Sequence, residues 1–335
     1  MTRLIIPAAF LSLLTATALV AAEIPAPSAT PAAPPTPAPP VSKIVPGKVI
    51  VPTDAMQRPW GELISLDPKT RTGKFRKENT DEVVSFTVLP YAELYHHGTF
   101  GDLQDFRVGV RAMFRLHQND VGEWVLLTYI QDQMRMMFGH QEYFYVDSID
   151  AEHGKVFCTQ AKFDKTLIRE HNIPIETDGE TLFWKKGQPA KFSDIQVGDA
   201  IRTETHGLGK GKTQMCWQVF LDDESFQKVL NVQKALNAKR LAEQGLPGYV
   251  DKLEGKELDL TLFQEGNDVS RNLKPGDKIR VAPAGVDRNP TAPAIAGAIA
   301  SAKMVSGPVC KVSVTLDSAS EAFPVGVVAR LWVDK

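Results

Sequence analysis

From about residue 60 onwards, apolar and polar residues alternate in short runs, the pattern of β-strands with one buried face. Val84-Ser85-Phe86-Thr87-Val88 is the clearest run, and the turn sequence Asn79-Thr80-Asp81 precedes it. Residues 63–130 contain five candidate strands, with a longer connection over residues 90–106. This arrangement predicts a small barrel of the OB-like or SH3-like type, with a small sandwich as the alternative.

The strand pattern occurs three times along the chain. Each copy begins with a strand that runs into a Gly-Lys turn, at Gly73-Lys74, Gly154-Lys155 and Gly255-Lys256. A second Gly turn then leads into a strand that carries an arginine, and these turns are at Gly109, Gly198 and Gly276. Because a recurring unit indicates tandem domains, we expect a mainly β protein of two or three tandem five-stranded barrels. The short interval between Gly255 and Gly276 predicts that the third copy has lost a strand pair or a connection.

One segment, residues 222–244, predicts an α-helix that links the second and third copies. Asp222 and Asp223 suit its N-terminus, and Gly245 followed by Pro247 ends it. Its apolar residues fall on one half of a helical wheel, namely Phe226, Val229, Leu230, Leu236 and Leu241. The Met-rich residues 134–138 predict a strand or linker over the joint between the first two copies. The sequence of residues 288–302 predicts neither a helix nor a strand.

The N-terminus has the pattern of a secretory signal. Arg3 precedes an apolar run, and Val20-Ala21-Ala22 supplies small residues for cleavage after Ala22. Residues 24–40 contain eight prolines, which favour an extended, disordered tether. We therefore expect no transmembrane segment in the mature chain. The expected organisation is a signal peptide (1–22), a Pro/Ala-rich disordered linker (23–57), barrel repeats at 58–131 and 143–221, a linking helix (222–245) and a third β domain (246–335).

The turn pattern resembles a known group of proteins. The Gly-Lys turns and the pattern Leu-x-x-Gly-Asp-x-Ile-Arg, seen best in residues 192–202 and 272–280, resemble the tandem OB-like or small β-barrel repeats of secreted bacterial proteins of unknown function. The resemblance covers residues 60–283, and the first copy departs from it with Val110 in place of the aspartate. The resemblance implies the fold, and it implies no activity for this chain.

Charge and motifs narrow the function. The chain has 38 basic and 40 acidic residues, a net charge of −2, which argues against a nucleic-acid partner because such partners require a basic face. Gly211-Lys212-Thr213 resembles the end of a P-loop, but His206 stands where the first glycine is required and a strand follows. No Gly-x-Ser-x-Gly motif occurs, and we expect no catalytic residue and no cofactor.

Two pairs of residues are candidates for specific chemistry. His96 and His97 are the best metal candidates, but adjacent strand residues point to opposite faces, so we expect no metal site. The carboxylates near them in sequence are Asp102 and Asp105. Cys158 and Cys216 both fall in the second repeat and form a candidate disulfide, while three buried thiols, including Cys310, are the alternative.

We therefore expect a periplasmic or secreted, non-catalytic binding or envelope-scaffold protein, with protein or cell-envelope glycan as its partner. The five tryptophans lie on or beside predicted strands, where core packing is the default and stacking on sugars or bases is the alternative. A hydrolase with a site between barrels is the first alternative function, and histidines or carboxylates that converge in a cleft would favour it. The second alternative is an OB-type binder of single-stranded nucleic acid. The sequence leaves the ligand and the oligomeric state open.

Overall fold

The computed structural model describes residues 43–50, 53, 55–206, 214–305 and 309–334. The predicted signal peptide, most of the Pro-rich linker and the Gly/Lys-rich loop at 207–213 lie outside the described residues. The described chain is mainly β and builds three small closed barrels in tandem, which confirms the predicted fold class. Among the described residues, no helix combines the length and the hydropathy that a membrane span requires.

Barrel 1 has the strand order of an OB barrel. Its strands are Trp60–Asp67 (β1), Thr72–Lys77 (β2), Val83–His96 (β3), Thr99–Phe100 (β4), Arg111–Gln118 (β5) and Trp124–Asp132 (β6). The closed ring runs β1-β2-β3-β6-β5, with β3 and β6 parallel and the other neighbours antiparallel, while the short β4 extends β3. Phe75 and Phe114 stack in its core with ring centroids 4.1 Å apart. The alternating strands thus bury their apolar faces inside the barrel.

Barrel 2 repeats this order and carries an extra hairpin. Its strands are Glu142–Asp150 (β7), Lys155–Lys162 (β8), Ile168–Glu176 (β9), Leu182–Lys185 (β10), Gln188–Ala190 (β11), Ala200–His206 (β12) and Gln214–Phe220 (β13). The ring closes as β7-β8-β9-β13-β12, and the β10–β11 hairpin pairs with β13 from outside. Sequence alternation did not indicate β9, because most of its side chains are exposed. The strand expected at Thr181–Trp184 belongs to the added hairpin.

Barrel 3 is a closed ring of six strands, whose neighbours all run antiparallel. Its strands are Leu246–Glu254 (β14), Glu257–Leu262 (β15), Lys278–Ala284 (β16), Ile295–Val305 (β17), Val309–Leu316 (β18) and Val328–Val333 (β19). The expectation that the third copy had lost a strand pair or a connection is wrong. Residues 288–302, for which the sequence predicted no element, include a turn at Arg288 and most of β17.

Each Gly turn forms a reciprocal pair of backbone hydrogen bonds with a bulged strand. In barrel 2, the N–H of Gly198 donates to the carbonyl of Val146 at 2.7 Å, and the N–H of Val146 donates to Asp199 at 2.9 Å. Gly109 makes the same exchange with β1 in barrel 1, and Gly326 makes it with β14 in barrel 3. Gly276 instead exchanges hydrogen bonds with β17. The structural counterpart of Gly198 in the third copy is therefore Gly326.

The described residues form three α-helices. Gln133–His140 (α1) connects barrels 1 and 2, Asp223–Gln244 (α2) connects barrels 2 and 3, and Asn267–Ser270 (α3) lies within barrel 3 between β15 and β16. Single 3-10 turns lie at Leu103–Asp105, Phe192–Asp194 and Gln264–Gly266. The Met-rich segment between barrels 1 and 2 is the helix α1 rather than a strand. The predicted linking helix is α2, which packs against strands of all three barrels. It therefore forms one side of the junction between the barrels, where a site shared by two barrels can form.

Candidate functional site

Two histidines and two carboxylates from different barrels meet beside α2. His96 ends β3 and His97 follows it, while Asp132 ends β6 and caps α1. Glu204 comes from β12 of barrel 2. We call these four residues the histidine–carboxylate cluster. Ligand atoms of His96, His97 and Glu204 all lie within 4.8 Å of one another.

The two imidazoles lie side by side, with ring centroids 3.7 Å apart and an angle of 26° between the planes. The sequence predicted opposite directions, because neighbouring strand residues alternate. That prediction is wrong, since His97 has a left-handed backbone with φ of 49°. The strand therefore ends at His96, and the turn brings the second ring beside the first.

Hydrogen bonds hold the cluster in place. Oδ2 of Asp132 accepts from the backbone N–H of His97 at 2.6 Å, and its Oδ1 accepts from the backbone N–H of Arg135 at 2.7 Å. The Nε2 atom of His97 lies 3.2 Å from Oε1 of Glu204. Oε2 of Glu204 accepts from the side-chain amide of Gln218 at 2.7 Å. Each carboxylate thus has one oxygen held by the protein and one beside a histidine.

The cluster concentrates charge in a buried region. Asp132 is completely buried and Glu204 is 6% exposed. Burial lowers the pKa of the His97 imidazole, but the hydrogen bond and charge of Glu204 outweigh burial, so that its pKa lies above 6.5. Burial raises the pKa of the Glu204 and Asp132 carboxyls, but the neighbouring histidines outweigh it, and both lie below their usual values. The arrangement therefore stabilises positive charge between two carboxylates.

A cleft of about 500 Å³ opens beside the cluster, between barrel 1, barrel 2 and α2. We call it the junction cleft. His96 and His97 line one side of it, and Trp184 and Gln218 of barrel 2 line another, with the indole N–H donating to the Gln218 amide oxygen at 2.9 Å. The apolar side chains of α2 that line it are Val229, Val232 and Leu236. Val232 is 55% exposed and Leu236 is 48% exposed, so this part of α2 is open to a ligand.

Another cavity, of about 410 Å³, runs along β1–β3 of barrel 1. Ser65, Thr72, Ser85 and Thr87 line it with hydroxyl groups, and Lys74 adds a charge. No histidine lies among its lining residues. The junction cleft is the stronger candidate site because it adjoins four converging titratable groups.

The acidic neighbours expected from the sequence lie outside the cluster. Asp102 caps the 3-10 turn at Leu103–Asp105, and Asp105 pairs with Arg240 at 2.8 Å. The carboxylates that reach the histidines are Asp132 and Glu204, which no local motif marked. Glu204 alternates in phase with Arg202 and His206 along β12, as a residue on a polar strand face would, so nothing in the sequence indicated that it is buried.

The cysteines offer no reactive thiolate. Cys158 and Cys216 are free thiols buried in the core of barrel 2, and Cys310 is a free thiol buried in barrel 3. Burial raises the pKa of the Cys158 thiol to about 12, and it also raises the pKa of Cys216. The candidate disulfide is thus present here as two separate thiols. The Gly211-Lys212-Thr213 segment lies outside the described residues.

Comparison with protein-family models, curated proteins and solved structures finds no match for this chain.

Proposed function

We propose that this protein is a binding protein of the cell envelope, and that the junction cleft binds a small glycan fragment. The observation that carries the proposal is a concave cleft of about 500 Å³ to which two barrels and α2 each contribute side chains. Pockets of roughly 300–1,000 Å³ are the usual size for small ligands. A protein partner instead needs about 800 Å² of complementary surface on each side. The cleft thus favours glycan over protein as the partner.

The lining supports a sugar ligand. The half-buried indole of Trp184 presents an aromatic wall, and Gln218, Gln233 and Lys228 bring polar groups to the same cleft. Sugars combine apolar faces with a rim of hydroxyls, and they match a lining of this mixed kind. OB barrels in general bind oligosaccharides as well as oligonucleotides on the face of their second and third strands, so the analogy of fold supports the class of ligand and not the position of the cleft.

The envelope location rests on residues 1–40. The signal pattern that ends at Ala22 and the Pro-rich stretch after it favour export and a tether. Mass spectrometry of the protein from envelope fractions should find Glu23 at the mature N-terminus. A chain that retains Met1 in those fractions would contradict export by cleavage.

Calorimetric titration with N-acetylglucosamine oligomers and soluble muropeptides tests the ligand. We expect Val232→Lys to weaken binding at least tenfold, because it places a long charged side chain in the cleft. Val286→Lys is the matched control, since Val286 is 68% exposed in barrel 3 and does not line the cleft. Failure of every glycan probe to bind, or equal affinity of the two variants, would overturn the proposal.

The hydrolase alternative has an observation in its favour, because histidines and carboxylates do converge at the cleft. His97 hydrogen-bonded to Glu204 is a pair of the kind that serves in general acid–base catalysis. A turnover screen against glycan, peptide and phosphoester substrates, with His97→Asn and Glu204→Gln beside the parent, separates the two functions. Turnover that falls about 100-fold or more in either variant would replace binding by hydrolysis.

A further inference from the structure

The histidine–carboxylate cluster has the composition of a transition-metal site. We propose that His96, His97 and Glu204 bind one divalent transition-metal ion beside the junction cleft. This inference goes beyond the proposed function, because ion binding does not depend on which organic ligand the cleft takes.

The donor atoms are of the right kind and close together. Two imidazoles and one carboxylate form the set found at zinc sites with an open position and at non-haem iron sites. The three donor atoms lie within 4.8 Å of one another, and binding a shared ion requires them to come to about 2 Å from it. Magnesium and calcium prefer all-oxygen ligands, so the two nitrogens favour zinc or iron.

The charge of the cluster favours a bound cation. Asp132 and Glu204 are two buried carboxylates, and within the cluster the groups that face them are the imidazoles of His96 and His97, each at 3.2 Å. With neutral imidazoles the cluster would carry two uncompensated negative charges away from water, which is costly. A divalent ion balances both charges and leaves the imidazoles free to act as ligands.

The surroundings match those of a metal site. Metal-ligating carboxylates and histidines are usually held by a second layer of hydrogen bonds. Gln218 donates to the Glu204 oxygen that does not face His97, and Asp132 accepts from the backbone N–H of His97. Nδ1 of His96 is buried 3.2 Å from Asp132, but in a geometry that gives it no hydrogen-bond partner.

Metal binding by the full chain, purified without a histidine tag and stripped with EDTA, tests the proposal. Calorimetric titration with Zn²⁺ should give one ion per chain, and Co²⁺ should give visible absorption bands from a low-symmetry nitrogen–oxygen site. We expect His97→Asn and Glu204→Gln to weaken Zn²⁺ binding by more than 100-fold. Gln218→Ala acts through Glu204 and should weaken it about 10- to 100-fold.

Histidines elsewhere provide the control. His153 and His171 are exposed on barrel 2, and their replacement by alanine should leave Zn²⁺ affinity unchanged. Circular dichroism checks that each variant is folded, and Glu204→Gln preserves side-chain shape if His97→Asn does not fold. The metal site would be overturned if the parent bound neither Zn²⁺ nor Co²⁺ at one ion per chain. It would also be overturned if His97→Asn and Glu204→Gln bound Zn²⁺ as strongly as the parent does.

The two proposals fail separately. Glycan binding that persists in EDTA while no metal binds would refute the metal site alone. Metal binding at His97 and Glu204 with no response to any glycan would refute the glycan proposal alone.

Discussion

At the scale of the residue, one left-handed backbone conformation creates the cluster. His97 has φ of 49°, a region that costs a non-glycine residue roughly 1–2 kcal/mol. The hydrogen bonds to Asp132 and Glu204 offset this strain. Strained residues of this kind concentrate at functional sites, and here the conformation places two imidazoles on one side of the chain.

A residue-scale prediction concerns Gly198, whose φ of 94° is needed for the turn that enters β12. A Cβ there would meet nothing within 4 Å, so Gly198→Ala isolates the backbone cost from any clash. We expect this change to lower the free energy of unfolding by about 1–2 kcal/mol in urea titrations.

The matched control for Gly198→Ala is Gly139→Ala. Gly139 lies within α1 and a Cβ there also meets nothing within 4 Å, but its φ is not positive. Alanine should stabilise that position by about 0.5–1 kcal/mol, because it favours the helix. Equal effects of the two substitutions would contradict the requirement for a left-handed turn at Gly198.

At the scale of the element, α2 organises the junction. Its N-cap, Asp222, accepts from the backbone N–H of Ser225 at 2.8 Å and from that of Lys186 at 2.6 Å. Gly245 ends the helix with a φ of 77°. Phe226 and Leu230 are buried, whereas Leu236, expected on the buried half, lies open at the cleft. The helix therefore serves both the core and the site.

The element-scale prediction is that Asp222→Ala lowers stability by about 1–2 kcal/mol at neutral pH. Burial raises the pKa of the Asp222 carboxyl, but the N–H groups of Lys186 and Ser225 outweigh it, and the pKa lies below 3.8. A carboxyl whose pKa is lowered by folding stabilises the protein above its unfolded pKa. Its contribution is lost as the pH falls through the folded pKa.

The stability difference between parent and Asp222→Ala should therefore be constant from pH 5 to pH 7 and shrink below about pH 4. Thermal or urea unfolding across this range measures it. Glu224→Ala, an exposed change in the first turn, should cost less than about 1 kcal/mol. A difference of unchanged size at pH 3 would contradict the charged cap.

At the scale of the whole molecule, a buried arginine of barrel 3 joins this barrel to barrel 1. Arg288 of barrel 3 pairs with Glu265 at 2.8 Å and donates to the carbonyl of Pro90 in barrel 1. Arg288 is 2% exposed, and Tyr91 and Tyr249 pack in the same region. The carbonyl bond fixes the orientation of the two barrels because its donor is buried and charged.

Arg288→Ala should destabilise the protein by about 3–5 kcal/mol, because it leaves Glu265 buried without its partner. Calorimetric unfolding should then show barrel 3 melting earlier than in the parent. Arg280→Ala removes an ion pair with Asp334 at the surface, where the Arg280 side chain is 51% exposed. This change should alter the free energy of unfolding by less than about 1 kcal/mol. Similar losses in both variants would contradict a structural role for the buried arginine at the joint between the barrels.

The sequence by itself determined the elements whose signals are local. Alternating strands such as Val84–Val88 and Gly turns at a recurring position specified tandem barrels, since a side-chain period of two and a positive φ need no distant partner. The caps of α2 likewise lie within a few residues of its ends. By contrast, β9 has few apolar residues, and only its ladder hydrogen bonds to β8 and β13 make it a strand.

The cluster was decided by tertiary structure alone. His96 and Asp132 come from parallel neighbours in barrel 1, and Glu204 comes from another barrel, so no spacing along the chain relates them. Tertiary structure also decided which glycine turn pairs with β14. This turn is at Gly326 rather than at Gly276, because β16, β17 and β18 lie between Gly276 and the strand that pairs with β14. Local periodicity encodes which face of a strand is buried. Which residues of different barrels meet depends on how whole barrels pack, and that packing is the sum of many weak interactions between residues far apart in sequence.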